Sequence, residues 1–308
     1  MHYDIIGDIH GHTKQLTRLL LKMGYINSDR GFYHPENRKV IFVGDYIDRG
    51  PAIPETVEIV RTMVDHNNAI ALMGNHELNA ILFNMKDENG KFLRPHTQKN
   101  IDQHAKTQYQ FENNSASYDE MISWFKTLPL YFEDKYLRAI HAFWKTAMVD
   151  DLTENHLNSD LSLNNSFWAD AGNKETNLFH LTDNLLKGKE VPLPDGFSFK
   201  DKGGNKRTDT RIKWWDSPIG KTFREWGIAG MGIELPDESI PDKYHNFEKY
   251  SENQKPVFIG HYWLTGKPIL QNKNVCCLDF SVAKNGYLTG YQFNGERILI
   301  RENLVWVR

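Results

Sequence analysis

The chain is poor in cysteine. Its 308 residues include two, Cys276 and Cys277, and side chains on adjacent residues diverge too far for a disulfide of ordinary geometry. Both lie in an apolar run at 275–280, so they read as buried free thiols, at home in a reducing compartment. Long hydrophobic runs are also missing. No stretch of about 18 apolar residues occurs, which argues against a helical membrane span. The opening Met1-His2-Tyr3-Asp4 lacks the basic and apolar segments of a secretory signal, and the expected location is cytoplasmic. Nor is there an excess of charge of one sign. The 37 Lys and Arg against 40 Asp and Glu leave a formal −3, which gives no global attraction to nucleic acid or anionic lipid. No membrane partner and no stable nucleic-acid binding are expected. Internal repeats and low-complexity segments are absent. With 40% hydrophobic and 25% charged residues, the composition is that of a globular chain long enough to bury its own core without disulfide or structural metal.

What is present is a rhythm. Residues 3–6 read as a strand closed by Gly7. Thr13 is placed to cap a helix through about residue 23, with Leu16, Leu19, Leu20 and Met23 on one face and Gly24 as its stop. A second strand at 39–43 ends at Gly44, and a helix follows at about 54–65. A third strand at 69–73 ends at Gly74 and leads into a helix from Glu77. This β-α-β-α-β order predicts a parallel sheet covered by helices. In such sheets the site lies beyond the carboxyl ends of the strands. Residues 86–120 are polar, 121–128 read as helix, and 136–141 and 257–259 as strands. The last 35 residues read as antiparallel strands with a hairpin turn at Asn294-Gly295. Between 144 and 250 the pattern weakens into Asn, Asp, Gly and Pro clusters with aromatics. That region is expected to be a helical and loop elaboration of a single domain spanning 1–308.

Each strand end carries polar ligand types. The blocks are Gly7-Asp8-Ile9-His10-Gly11, Gly44-Asp45-Tyr46-Ile47-Asp48-Arg49-Gly50, Gly74-Asn75-His76-Glu77, Ile140-His141-Ala142 and Gly260-His261. Carboxylate, amide and imidazole donors together suit a borderline first-row dication such as Mn, Fe or Zn better than calcium. Asp8 and His10 are two apart, so on an extended chain both point to one side. A carboxylate that bridges two ions makes the clamp used for phosphoryl transfer.

In this order the blocks resemble the calcineurin-like metallophosphoesterase superfamily, in the branch of phosphoprotein phosphatases and bacterial diadenosine tetraphosphatase-like enzymes. The pattern GDxHG, GDxxDRG, GNHE, a lone His after a strand and a final GH is complete here. The first three blocks are specific; the last two rest on order. The resemblance is good over 3–85 and moderate over 121–145 and 256–293. It implies an α/β fold, a four-layer α-β-β-α sandwich, and a phosphatase with two divalent metal ions, expected to be Mn, with Fe, Zn or Mg as alternatives. Asp8, His10 and Asp45 would hold the first ion. Asp45 would bridge to the second, completed by Asn75, His141 and His261. His76 would be the general acid, Asp48 its orienting partner, and Arg49 a phosphate clamp beside Asn75. Attack at phosphorus would be in line, by a hydroxide held between the metals.

The chain departs from the family in places. Ala142-Phe143-Trp144 replaces a glycine pair after the lone His and suggests a narrowed or aromatic-walled pocket. Tyr262-Trp263 replaces Thr-Pro after the final GH. Trp214-Trp215-Asp216-Ser217-Pro218 is similar to a tryptophan-Ser-Asp-Pro segment with residues exchanged. The family often adds a second phosphate-binding arginine, for which Arg211 and Arg224 are both candidates. The stretch 200–213, with Lys202, Lys206, Arg207 and Gly203-Gly204, reads as a solvated loop offset by Asp201 and Asp209, or as a basic loop that meets an anionic substrate. Trp214, Trp215 and Trp263 are either core or a stacking surface. His12 reads as outward-facing, and the other histidines, His104 among them, as surface or packing residues. The substrate is then a phosphorylated protein, with phosphate on Ser, Thr or Tyr, or a dinucleoside polyphosphate. A catalytically silent binding module is the rival of another class, but it has no physical need of His76, Asp48 and Arg49.

Overall fold

The computed structural model describes residues 2–158, 162–164, 166–200, 204, 206–230 and 232–308. Asp201, Lys202 and Gly203 of the basic stretch lie outside these.

Two sheets form the centre. In one, the strand Tyr3–Ile6 pairs in parallel with Lys39–Phe42, which pairs in parallel with Ala69–Ala71. On its other side Tyr3–Ile6 runs antiparallel to Tyr287–Phe293, which carries Asp279–Phe280 and Leu304–Val307. In the second sheet Val257–Ile259 lies between two parallel neighbours, Arg138–Ile140 and Val275–Cys277, and Tyr131–Glu133 closes one edge. Strand residues alternate between two apolar clusters, as the period of two requires. Ile5, Ile41, Ala139, Phe258 and Cys276 fill the seam between the sheets, while Val40, Phe42, Ile140, Val257, Ile259 and Cys277 face outward to the helices. This is the four-layer α-β-β-α arrangement.

Helix α1 (Thr13–Lys22) buries Leu16, Leu19 and Leu20; α2 (Ile53–Asp65) buries Val57, Val60 and Met63. Helix α3 (Asn75–Asn84) follows the third parallel strand, and α4 (Gln98–Gln110) and α5 (Ser115–Phe125) lie beyond it. The polar stretch 86–120 thus supplies real helices. Residues 144–250 hold helices such as Asn177–Lys187, as expected, but also a small sheet of Glu190–Pro192, Asp209–Ile212 and Gly227–Ile228. Their apolar side chains, among them Leu185 and Trp214, join the same cluster as the α1 and α2 leucines and valines. No helix among the described residues is long and apolar enough to cross a membrane.

Three expectations need correction. Thr13 does not cap α1: it is the first helical residue, and its hydroxyl donates to the Ala52 carbonyl, tying α1 to the entry of α2. Asn294-Gly295 is not a two-residue hairpin. Gly295 turns at φ 94, but the partner strand begins only at Leu304, because Glu296 is held by the Tyr291 hydroxyl and that hydroxyl also accepts from Ile300 N–H. His12 does not face outward: it is half-buried and its Nε2 is enclosed. The two cysteines are buried free thiols. Burial raises the pKa of both, and the Cys277 thiol donates to the Gly260 carbonyl.

Candidate metal centre

Every expected ligand follows the carboxyl end of a parallel strand. Asp8, Asp45 and Asn75 come from one sheet, and His141 and His261 from neighbouring strands of the other. The turns that present them are tight. His10, Asp45, Asp48 and His261 all take positive φ, at 49, 58, 80 and 71°, a region in which Asp and His are tolerated far better than branched residues. The preceding glycines are steric necessities. A Cβ on Gly260 would lie 1.9 Å from Asp8 Oδ1, and one on Gly74 would lie 2.3 Å from Asp45 Oδ1.

Asp45 is the hub. One oxygen lies 3.5 Å from His10 Nε2 and 3.9 Å from His76 Nε2; the other lies 3.4 Å from His141 Nε2. Two buried triads, His10–Asp45–His76 and Asp45–His141–His261, therefore share one carboxylate. Asn75 Oδ1 lies 3.2 Å from His141 Nε2. Asp8 is in neither triad. Its carboxylate accepts from the His261 backbone N–H at 3.0 Å and lies close enough for the charges of Asp45 and His141 to act on it. His76, expected as the acid, stands in the first triad where Asp8 was expected.

The donors fit a divalent cation. His10 and His141 each place Nδ1 2.7 Å from a backbone carbonyl, of Ile47 and Val43. That fixes the Nδ1–H tautomer and leaves Nε2 as the donor atom. Both ring nitrogens of His261 are buried with no hydrogen-bond partner, a costly state for a buried polar group unless it has a ligand. Burial drives the His10 imidazole down to about 3 in spite of Asp45, so it is neutral, as a ligand must be. Burial likewise lowers His261, helped by the Arg211 and His141 charges. His141 goes the other way: burial is outweighed by the Asp45 charge and hydrogen bond, and its pKa rises to about 10. A dication beside Asp45 would take the place of that proton.

His76 is a member of the first triad, while Arg49 stands outside both. His76 Nδ1 is 2.5 Å from Asp48 Oδ2. Burial lowers the His76 pKa, but the Asp45 charge and the Asp48 hydrogen bond outweigh it and the net shift is upward. Arg49 is exposed at the rim, and its guanidinium has no partner among the described residues. Its charge nevertheless acts on His10 and His76.

The later arginines differ. Arg211 lies in the Asp209–Ile212 strand, donates to the Lys187 carbonyl, and sits 4.8 Å over the Trp263 ring, two residues past His261. Arg224 instead donates to the Leu235 carbonyl and faces Asp237 at 3.6 Å. Trp214 and Trp215 are core, and the Trp214 indole donates to the Ala142 carbonyl. Trp263 is half-buried, with Lys284 5.5 Å from its ring. The aromatic wall expected beside the lone His is a separate pocket of about 170 Å³ that includes Phe143, Trp144, Trp214 and Tyr250; none of the expected ligands lines it. Arg207 pairs with Glu190.

Two buried residues received no role from the sequence. Glu77, in the third block, takes three backbone N–H groups on its carboxylate, from Asp45, Tyr46 and Gly74. It thereby clamps the Asp45 turn to the start of α3. Burial and the Asp45 charge push its pKa up to about 7. Glu77→Gln would turn an amide N–H₂ toward those donors. We expect it to lose about 2–3 kcal/mol of stability in urea unfolding at pH 8, the worth of a mispaired buried group, and to weaken metal retention; an unchanged midpoint would refute the clamp. His104 is buried rather than superficial, with Nδ1 2.7 Å from Asp48 Oδ1. The available signal was its spacing: in an otherwise polar helix, His104 and Thr107 are the buried pair at i, i+3.

The chain belongs to the calcineurin-like phosphoesterase family, whose sequence profile matches residues 1–262. Among curated proteins it is similar to the asymmetrical bis(5'-nucleosyl)-tetraphosphatase PrpE of Geobacillus thermodenitrificans (strain NG80-2), with 48% identity over 77 residues, 25% of this chain and 31% of that protein. The protein of that name from Anoxybacillus flavithermus (strain DSM 21510 / WK1) is 43% identical over 76 residues, again 25% and 31%. The match thus spans under a third of these relatives. Among solved structures, the cold-active protein-tyrosine phosphatase of a psychrophile, Shewanella sp., is similar over 100% of this chain and 80% of that one, at a TM-score of 0.51 and 17% identity, a likeness of fold.

Proposed function

We propose that the chain hydrolyses phosphomonoesters, as a phosphatase of phosphorylated Ser, Thr or Tyr side chains in the cytoplasm, with all 308 residues acting as one domain. The observation that carries the reading is the pair of buried triads sharing Asp45, one of which contains His76, itself paired with Asp48. Asp8, His10 and Asp45 hold one divalent ion, and Asp45, Asn75, His141 and His261 hold a second. The all-N/O donor set suits Mn, with Fe, Zn or Mg as alternatives. When bound, the ions supply charge stabilisation for the phosphoryl oxygens and acidify water.

The chain's own residues do the rest. Arg49 grips phosphate oxygens with its planar fork of donors. His76, held protonated by Asp48, delivers its Nε2 proton to the departing oxygen. Arg211, half-buried and near enough for its charge to act on His261, is the second phosphate-binding arginine, and Arg224 is not. Arg211→Ala should lower kcat/KM about 10–100-fold, the worth of one charge-assisted hydrogen bond, while Arg224→Ala stays within about twofold. Equal effects would reverse that assignment.

A second reading is hydrolysis of a dinucleoside polyphosphate. Trp263, half-buried with Arg211 and Lys284 against its ring, favours it, because a base stacks on such a platform while the cations face phosphates. Steady-state turnover of p-nitrophenyl phosphate with Mn, Co, Ni and Mg, then of a phosphopeptide beside diadenosine tetraphosphate, tests both readings. No turnover with any metal would sink the enzyme, and preference for the dinucleotide would replace the first reading by the second.

A further inference from the structure

The His76–Asp48 pair does not end at Asp48. Asp48 Oδ2 accepts from His76, while Oδ1 accepts from His104 Nδ1 at 2.7 Å and from the Thr107 hydroxyl at 2.6 Å. Thr107 Oγ1 in turn accepts from the Asp48 backbone N–H at 3.1 Å. The other His104 nitrogen, Nε2, lies 2.8 Å from the Tyr118 hydroxyl, and Asn84 donates to that same hydroxyl and to the Ala80 carbonyl. His76 lies in the first turn of α3 and Asn84 closes the helix. The hydrogen bonds therefore form a circuit that leaves α3 at His76, crosses Asp48, His104 on α4 and Tyr118 on α5, and returns to α3 at Asn84.

The donor and acceptor count closes with a neutral His104. A carboxylate only accepts, so His104 Nδ1 carries the hydrogen; Nε2 then accepts from the Tyr118 O–H, whose oxygen accepts from the Asn84 amide. Every group in the ring is satisfied, which gives such buried networks their rigidity. Asp48 needs that rigidity. It sits at φ 80, a conformation that persists only where the surroundings over-determine it.

We propose that His104 is a positioning residue for proton delivery: with Thr107 it locks Asp48 in the one orientation that keeps a carboxylate oxygen on His76 Nδ1. His104 touches neither triad, and a role confined to holding α4 in place would slow every substrate alike. A role through His76 slows substrates in proportion to how badly their leaving group needs a proton.

The inference rests on His76 being the general acid. The experiment compares kcat for p-nitrophenyl phosphate, whose leaving group departs unaided, with kcat for phenyl phosphate, whose leaving group does not, in the full-length Mn-loaded enzyme. His104→Ala should retain bound Mn and slow phenyl phosphate about 10–100-fold, as loss of an orienting partner does, with p-nitrophenyl phosphate changed about threefold or less. His104→Asn, whose amide N–H₂ can replace Nδ1–H, should recover most of the loss. If His104→Ala does not fold, Tyr118→Phe cuts the same circuit more gently and should show the same selective slowing. Uniform slowing of both substrates, or no slowing of either, overturns the proposal. His76→Asn separates the two levels. If it is selective and the His104 variants are not, only this inference falls; if it is not selective itself, the general-acid reading falls.

Discussion

Asp45→Asn is expected to bind at least one metal ion fewer than the wild type and to lose at least about 10³-fold in turnover. Its two oxygens face histidines on opposite sides: His10 and His76 on one, His141 on the other. Asn offers one oxygen and one N–H₂, so whichever way it turns, one triad receives a donor where it needs an acceptor. The change is nearly isosteric, and Asn tolerates positive φ as Asp does, so the fold should survive. Loss of several kcal/mol of charge stabilisation in the transition state gives the rate estimate. Metal content by elemental analysis and turnover of p-nitrophenyl phosphate check both halves. Full occupancy with full activity would refute the shared-carboxylate reading.

His76→Asn is expected to keep its metals and to slow turnover of a poor leaving group about 10²–10⁴-fold, the usual worth of general acid catalysis. The sign of the pH effect follows from the raised pKa of His76. The acid must carry its proton, so the wild-type rate holds below that pKa and falls as pH rises through it. In His76→Asn that descending limb should be absent. Because His76 also belongs to the first triad, metal content decides its role: a variant stripped of metal would make His76 a ligand in place of Asp8.

The grouping of the candidate donors is legible in the sequence because they follow strand ends. Asp8, His10, Asp45, Asn75 and His76 stand in blocks whose leading glycines, Gly7, Gly44 and Gly74, are required by contacts of 2.3–2.5 Å to a hypothetical Cβ, so residue type and local backbone are read together. His141 and His261 depend on knowing which strands become neighbours, which is a tertiary fact. His104 was illegible for a stronger reason. It lies 56 residues from Asp48 on a polar helix, and only the packing of α4 against the second block turns it inward. Glu77 was visible inside a motif, yet its three N–H partners come from two different turns. The same limit applies to Arg211 and Arg224, which local sequence does not tell apart; one strand pairing and one loop carbonyl separate them.

The origin of the donors in two sheets also sets a timetable. Asp8, Asp45 and Asn75 are in place once the first parallel strands pair, but His261 arrives 186 residues after Asn75, on a strand that must find Arg138–Ile140 as its neighbour. Contacts of such long sequence separation form late. Only one of the two triads is complete within the first 76 residues. A growing chain therefore brings the donors of its second triad together only near the end of its own folding, after the two sheets have met.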